Sequence, residues 1–449
     1  MNNIRLRKGC LILSVIIILS INIFQDSTYD LLAKGIEALK VHQYQSLAKD
    51  IDAVVVQKNT LLSVSLYNKT ENTILDENGV FSRPIISPSK KFVAYIKNKN
   101  LFITDSNYTY IKIADNIDPL AFSWQNGNNL IYSPRKGGLY IYDISNKVIK
   151  VYIKNESNYH NITFDSKGNI YAEKYNFYKK DGSDYIADYG IVFINGNTKD
   201  EKLVIKSIPS DLSGSGSLGM YPVIAKIAKD DTYLYIWEHP HSASMAADGV
   251  DFATYDILNN KLIEYKSPNI ISLAYRDNLS INPKDSKSVA LIYGAGREMS
   301  RNKHLVILDV LHGNIKDLTK ENVTTMTPNY LCDGKTIVYA SSLEQYGTKE
   351  NIDEWLTNGK HHIYSMDTMT KKIRQLTSNP NYFDFSPKYI SNNMMLLFRS
   401  DNSDNVSLWK LQNGKETILA DSLIFYDTSY PIQNYYGHFN TELFTDIKD

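Results

Sequence analysis

The stretch "EHPHSASMAADGVD" (Glu238–Asp251) gathers the side chains best suited to metal binding. Glu238, His239, His241, Asp248 and Asp251 offer imidazole and carboxylate ligands. His-Pro-His is not a standard zinc spacing, and no third histidine is close in sequence. A solvent-exposed loop is therefore expected, with no metal and no other cofactor. His361-His362, farther along the chain, can still approach in space. Arg297 and Arg301, with Glu298 between them, have the fork geometry for a carboxylate ligand. Pairing with an acid of an adjacent loop would occupy them equally well. Tyr346, Asp353, Glu354 and Trp355 make an aromatic, acidic stretch, and an exposed tryptophan can anchor a peptide or stack on a sugar ring. The bland alternative is that Trp355 folds back and caps its own loop. Tyr178 and Asp184 lie in a further long polar stretch, "KYNFYKKDGSDYIADYG" (Lys174–Gly190). No catalytic residue is assigned.

Several motifs are excluded. In "SGSGSLG" (Ser213–Gly219) no serine has glycine on both sides at the spacing of a nucleophile elbow. It also lacks the lysine of a phosphate-binding loop. The aspartates of "PKDSKS" and "CDGK" suit turns, where their side chains bond nearby backbone. The chain has 449 residues, 43% hydrophobic, with 49 basic and 49 acidic side chains. Zero formal charge removes any bulk argument for nucleic acid. Its 33 tyrosines lean toward β structure. Cys10 and Cys332 are the two cysteines. One precedes an apolar run and the other falls among strands, so no disulfide joining them is expected.

Arg5, Arg7 and Lys8 precede the uncharged run Gly9–Phe24. As a helix it spans roughly 24 Å, slightly short of a ~30 Å hydrocarbon core, which snorkelling flanks can make up. A basic flank before an apolar run keeps the N-terminus inside. The expected layout is a cytoplasmic flank (1–8), a transmembrane signal anchor (9–25) and an amphipathic helix or stalk (28–50). The remainder then lies outside the cytoplasm, at the cell membrane. A cleaved signal peptide is the rival, but no small-x-small cleavage pattern is evident near Ser20–Ser27.

From Ile51 onward short strands alternate with Asn, Asp, Gly, Ser and Lys, an all-β pattern. A four-strand unit recurs. Its second strand is a polar turn followed by an apolar run, as in "SPSKKFVAY", "WQNGNNLIY", "PKDSKSVALIY" and "CDGKTIVYA". Its third carries a closing aspartate, as in "LFITD", "LYIYD", "LVILD" and "IYSMD". Seven units begin near Arg83, Leu120, Asn161, Tyr221, Leu273, Thr325 and Asn381. Such units are what propeller blades require. The expectation is an eight-bladed β-propeller over 51–428. The strands of Ile51–Leu75 join "SLIFYD" (Ser422–Asp427) in the closing blade, and a tail (429–449) packs outside or over one face. Seven blades, with those pieces packed outside, is the alternative.

The segments "DLT…TPNYLCDGKTIVYASS", "RQLT…FSPKYISNNMMLLF" and "ISPSKKFVAYI" resemble the TolB-like propeller repeat, also seen in dipeptidyl-peptidase-type proteins. The resemblance covers about 82–420 and implies a fold far more than a function. Relatives with peptidase activity carry an α/β-hydrolase domain, and no such activity is expected here.

Propeller topology places the second-to-third strand connections on one face. Four successive units have long ones: Lys174–Gly190, Glu238–Asp251, Gly294–Lys303 and Ser341–His362. Long loops on a rigid scaffold are where function concentrates, so this crescent is the expected working surface. The expected role is binding of a protein, peptide or cell-envelope polymer. The rivals are a propeller hydrolase or lyase acting on a carbohydrate or lactone, and an accessory subunit of an envelope transport or sensing complex. Three or more ionisable side chains converging at the channel mouth would favour the enzyme.

Overall fold

The computed structural model describes residues 50–448 except 68–71, 108, 181–182, 210–218, 243–247, 266–270, 273, 346–359, 392, 402–404 and 426–440. All of these belong to one compact unit, Asp50–Asp449. The expected anchor and amphipathic helix lie outside the described residues. Among the described residues no helix is long and apolar enough to cross a membrane.

The chain is nearly all β, built from sequential sets of four antiparallel strands. Their innermost strands are Phe81–Ile86, Phe122–Trp124, Asn158–Phe164, Met220–Ile227, Leu279–Ile281, Val323–Tyr330 and Phe383–Ser391. These define blades 1 to 7 below, a propeller arrangement. The predicted unit starts fall within a few residues of all but the fifth. There Ile271–Ser272 still pairs with Val250–Asp251 of blade 4, and a 3-10 turn at Arg276–Asn278 precedes the strand.

Second strands such as Phe92–Lys97 and Tyr233–Pro240 are apolar on both faces because a neighbouring blade covers each. The buried clusters show this directly. Leu101 of blade 1 packs with Phe122 and Leu130 of blade 2. Ile131 packs with Tyr159 of blade 3, and Tyr171 with Leu234 of blade 4. Fourth strands face solvent, so Val148–Ile153 is largely exposed.

Blade 7 and the N-terminal strands Ala53–Gln57, Thr60–Val64 and Thr73–Glu77 share one larger sheet, joined edge to edge at Gln57 and Leu423. As expected, "SLIFYD" reaches the N-terminal strands: Leu423 pairs with Gln57, and the Ile424 amide donates to the Val56 carbonyl at 3.1 Å. Ser422 and Leu423 also end the outer strand of blade 7 (Lys415–Leu423), and Thr445–Ile447 of the tail is a further strand, paired with Ala53–Val55. An innermost strand is an edge strand, and three partly polar residues suffice there. The N-terminal strands pack on blade 7 through Ala53 and Val55, and on blade 1 through Val54 and Leu61. Asp76 clasps blade 1 further, accepting from the Tyr95 hydroxyl at 2.6 Å and the Lys97 ammonium at 2.8 Å.

The innermost strands share a bulge. Register shifts occur at Ser82/Ile85, His160/Thr163, Ile224/Lys226, Met326/Asn329 and Phe385/Lys388. Arg83, Asn161, Thr327 and Ser386 there have φ of 53°, 46°, 52° and 46°. Three of the four precede proline, which donates no ladder hydrogen bond and is tolerated at an edge bulge. From sequence alone, Ser386-Pro387 reads as a turn out of the ring centre. It lies within the strand, and the turn comes at Ser391–Met394.

Candidate functional site

Among the described residues singled out from sequence, Asp248, Arg297, Glu298 and Arg301 gather near the buried Lys303. "KYNFYKKDGSDYIADYG" is a long antiparallel ribbon instead of a loop, pairing Tyr178 with Tyr185 and Lys179 with Asp184. Glu238 and His239 lie within a strand, opposite Pro222 and Tyr221. His239 and His241 flank the Tyr221 ring, with centroids 5.4 and 5.1 Å away. Burial pushes His239 down to about 4, which favours a neutral, packed ring. Arg297 engages Asp248 bidentately at 2.6 and 2.8 Å, and Arg301 lies 3.5 Å from Glu298. His361 packs on Phe383, and His362 lies 3.9 Å from Asp384, both directed toward blade 7. Among the described residues no group of three or more His, Cys, Asp or Glu could hold a metal ion. Tyr346, Glu354 and Trp355 lie outside the described residues.

A cavity of about 740 Å³ occupies the ring axis instead. Innermost strands line it through Arg83, Phe122, Asn161, Lys226, Ser280, Asn329 and Tyr389. Its rim carries Lys229, Asp230, Lys284, Asp285 and Cys332, in the tight turns joining first strands to second. Consecutive strands are antiparallel, so these turns and the long second-to-third connections leave opposite ends of the blades. The cavity therefore opens away from the long-loop crescent.

The bulges build its floor. Arg83 and Asn161 reach the axis from left-handed backbone positions, and Arg276 comes from the turn before blade 5. Glu442, in the 3-10 turn Thr441–Leu443, pairs with both Arg83 and Arg276. Arg276 also donates to the Asn161 side-chain oxygen and, at 3.1 Å, to the Ile224 carbonyl. The Asn161 amide donates to Glu173 at 2.7 Å, which fixes its orientation. Alongside, Asp277 accepts from the hydroxyls of Ser386 at 3.2 Å and Thr441 at 3.4 Å. Lys226 donates to the Leu279 carbonyl and Lys388 to that of Ile447.

Burial acts on four of the charges here: Glu442, Asp277, Lys226 and Arg83. It alone would raise Glu442, but Arg276 and Arg83 outweigh it and pull the carboxyl down to about 2. Burial pushes Asp277 up to about 7, with hydrogen bonding from Ser386 and the Lys226 charge opposing. Lys226 falls to about 8 because burial outweighs the attraction of Asp277 and Glu442. Burial likewise lowers Arg83. Four cations (Arg83, Lys226, Arg276, Lys388) thus face Glu442, Asp446, Glu173 and an aspartate with a raised pKa, and of these groups Arg83, Lys226 and Arg276 are the ones that line the cavity.

Sequence reading missed this cluster. Its members come from separate blades and the tail, so no local spacing announces it. The usable signal was the X-Pro pairs Arg83-Pro84, Thr327-Pro328 and Ser386-Pro387, which mark the bulges of three innermost strands and include one member of the cluster, Arg83.

No family model matches the chain, and no curated protein matches it. Solved structures do. Dipeptidyl peptidase 4 of Porphyromonas gingivalis is 8% identical, over 85% of this chain and 61% of that one, with a TM-score of 0.51. A putative TolB from Agrobacterium tumefaciens is 11% identical over 83% and 90%, with a TM-score of 0.35. An oligogalacturonate lyase in complex with manganese is 14% identical over 88% and 89%, with a TM-score of 0.45. The chain spans 50%, 55% and 61% of three peptidases it matches and 37% of the tricorn protease. The likeness at 0.51 bears on fold alone: the chain is similar to the β-propeller domains of such proteins.

Proposed function

We propose that the chain is a membrane-tethered, extracytoplasmic binding module that takes an acidic peptide segment of a partner protein into its axial cavity. The observation carrying this reading is the cavity floor, where Arg83, Lys226 and Arg276 present positive charge inside 740 Å³ of space. Charge-assisted hydrogen bonds from a forked guanidinium are strong and suit carboxylates. Eight blades belong to the same reading, with Thr445–Ile447, Ala53–Gln57, Thr60–Val64 and Thr73–Glu77 as the eighth. Tethering rests on Arg5, Arg7 and Lys8 preceding the apolar run Gly9–Phe24.

Affinity capture from native envelope tests the working face. Arg276→Gln and Lys226→Met should each abolish capture, while trimming 344–358 and replacing Trp355 should leave it. The reverse result moves function to the long-loop crescent. Full-length protein should stay with the membrane fraction through a high-salt wash, and release as a shortened soluble form sinks the tether.

A second reading has its own support. Five ionisable side chains (Arg83, Lys226, Arg276, Asp277, Glu442) converge at the axis, the feature named above as favouring an enzyme. Asp277 near 7 and Lys226 near 8 are matched to proton transfer at neutral pH. Turnover of a carbohydrate or lactone that is lost in both Asp277→Asn and Lys226→Met would establish it.

A further inference from the structure

The geometry points to Glu442 as an internal surrogate of the ligand: Arg83, Arg276 and Asn161 form a carboxylate-recognition site that the chain's own C-terminal segment fills, in competition with carboxylates from solution. This rests on the reading of the axial cavity as a binding site and adds what occupies it.

Four observations carry it. Arg83, Asn161 and Arg276 all line the cavity, so the cradle is reachable from solvent. The Glu442 side chain keeps 32% of its exposure while Arg83 keeps 11%, so the carboxylate is the more open member of the pair. Arg83 Nε is buried and has no hydrogen-bond partner, leaving donor capacity that Glu442 does not use. Arg83 and Asn161 both sit at positive φ in the bulges of their innermost strands, the positions from which they reach the axis.

The segment can release its carboxylate without leaving. Phe444, two residues on, is buried in the cluster between the N-terminal strands and blade 1. Thr445–Ile447 is paired to Ala53–Val55. Rotation of the Glu442 side chain alone vacates the cradle, and an incoming carboxylate takes over both arginines. The affinity of an outside ligand is then reduced by the fraction of time Glu442 is bound.

Two measurements test this. In the first, acetate is titrated into wild type and Glu442→Ala at constant ionic strength while thermal unfolding is followed. Acetate should raise the midpoint of the variant by several degrees and leave wild type unchanged. No difference from chloride in the variant overturns the proposal. In the second, calorimetry measures an acetylated tetraglutamate peptide binding to wild type and to Glu442→Gln, each confirmed folded by circular dichroism. Glu442→Gln should bind at least about tenfold tighter, and adding Arg276→Gln should remove the gain. Equal affinity in wild type and Glu442→Gln overturns the proposal. Acetate rescue without peptide binding by any form keeps the cradle as a carboxylate site and sinks the acidic-peptide reading of the cavity.

Discussion

The backbone amide of Ser386 donates to Thr327 Oγ1 across the boundary between blades 6 and 7, at 2.9 Å. The two residues are the same step of the repeat, each at positive φ before a proline. The pattern runs on, because the Thr327 amide donates to Asn278 Oδ1 at 3.2 Å. Both bulges thus turn a backbone donor sideways, and the preceding blade supplies the acceptor. Thr327→Val keeps the shape and deletes the acceptor, stranding a partly buried amide. The expected loss is about 1–3 kcal/mol, with Thr327→Ser close to wild type. Urea unfolding of the three proteins measures it, and equal losses for Val and Ser would deny the bond its role.

That bond also marks how far the sequence could be read. The second strands and the Asp, Asn and Gly turns repeat locally, so the units from Arg83 to Asn381 were legible from hydrophobic alternation. The X-Pro pairs were visible too, yet proline suggested a turn, because sequence does not distinguish a turn from a bulge on an edge strand. The axial cluster was not legible. Arg83, Lys226, Arg276 and Glu442 are brought together only by closure of the ring. Thr445–Ile447 is three residues long, too short for any periodicity, and so the element carrying Glu442 inward read as tail.

Arg399 and its partners make a second test of the interior. The Arg399 and Asp384 side chains are fully buried, with Nε donating at 2.8 Å. Both terminal nitrogens bond Glu416 at 2.6 Å. The guanidinium also lies 4.7 Å from the Trp409 ring centre. Arg399→Met leaves the Asp384 charge buried without its cation, and breaking such a pair costs about 3–5 kcal/mol. Arg399→Met with Asp384→Asn should recover a large part of that, since the isolated charge is what costs most. Chemical unfolding of both variants checks the ordering, and a double variant no better than the single one would refute it.

The axial carboxyls predict opposite pH dependences. Asp277 is raised to about 7 from an unfolded value near 3.9, so the folded chain holds its proton more tightly. Its contribution is fully present below about pH 4 and is lost as pH rises through 7. Glu442 is depressed to about 2 from an unfolded value near 4.3. Its contribution is present above about pH 4 and is lost as pH falls through 2. The groups facing Asp277 are Lys226, Glu442, Ser386 and Thr441. Asp277→Asn should therefore gain stability relative to wild type between pH 4 and 7, and Glu442→Gln should be less acid-sensitive below pH 4. Unfolding midpoints across pH 2–8 give the difference curves. A wild-type minus Asp277→Asn curve that is flat from pH 4 to 7 would contradict the assigned shift.

Two glycines with positive φ should respond to alanine very differently. Gly168 has φ +80°, and a Cβ there would meet nothing within 4 Å. The cost is then the left-handed backbone alone, about 1–2 kcal/mol. Gly294 has φ +138°, and a Cβ there would lie 1.7 Å from the Asn302 carbonyl oxygen. Backbone must move, and the neighbourhood resists. The fully buried Lys303 ties its ammonium to the carbonyls of Ala295 at 3.1 Å and Arg301 at 3.4 Å. Tight interiors transmit such strain instead of absorbing it. Gly294→Ala should cost more than about 3 kcal/mol or block folding, because overpacking alone costs about 1–3 kcal/mol and backbone strain adds to it. Thermal unfolding of the two alanine variants side by side decides the matter. If Gly294→Ala is no worse than Gly168→Ala, the loop from Gly294 to Lys303 yields more readily than its packing implies.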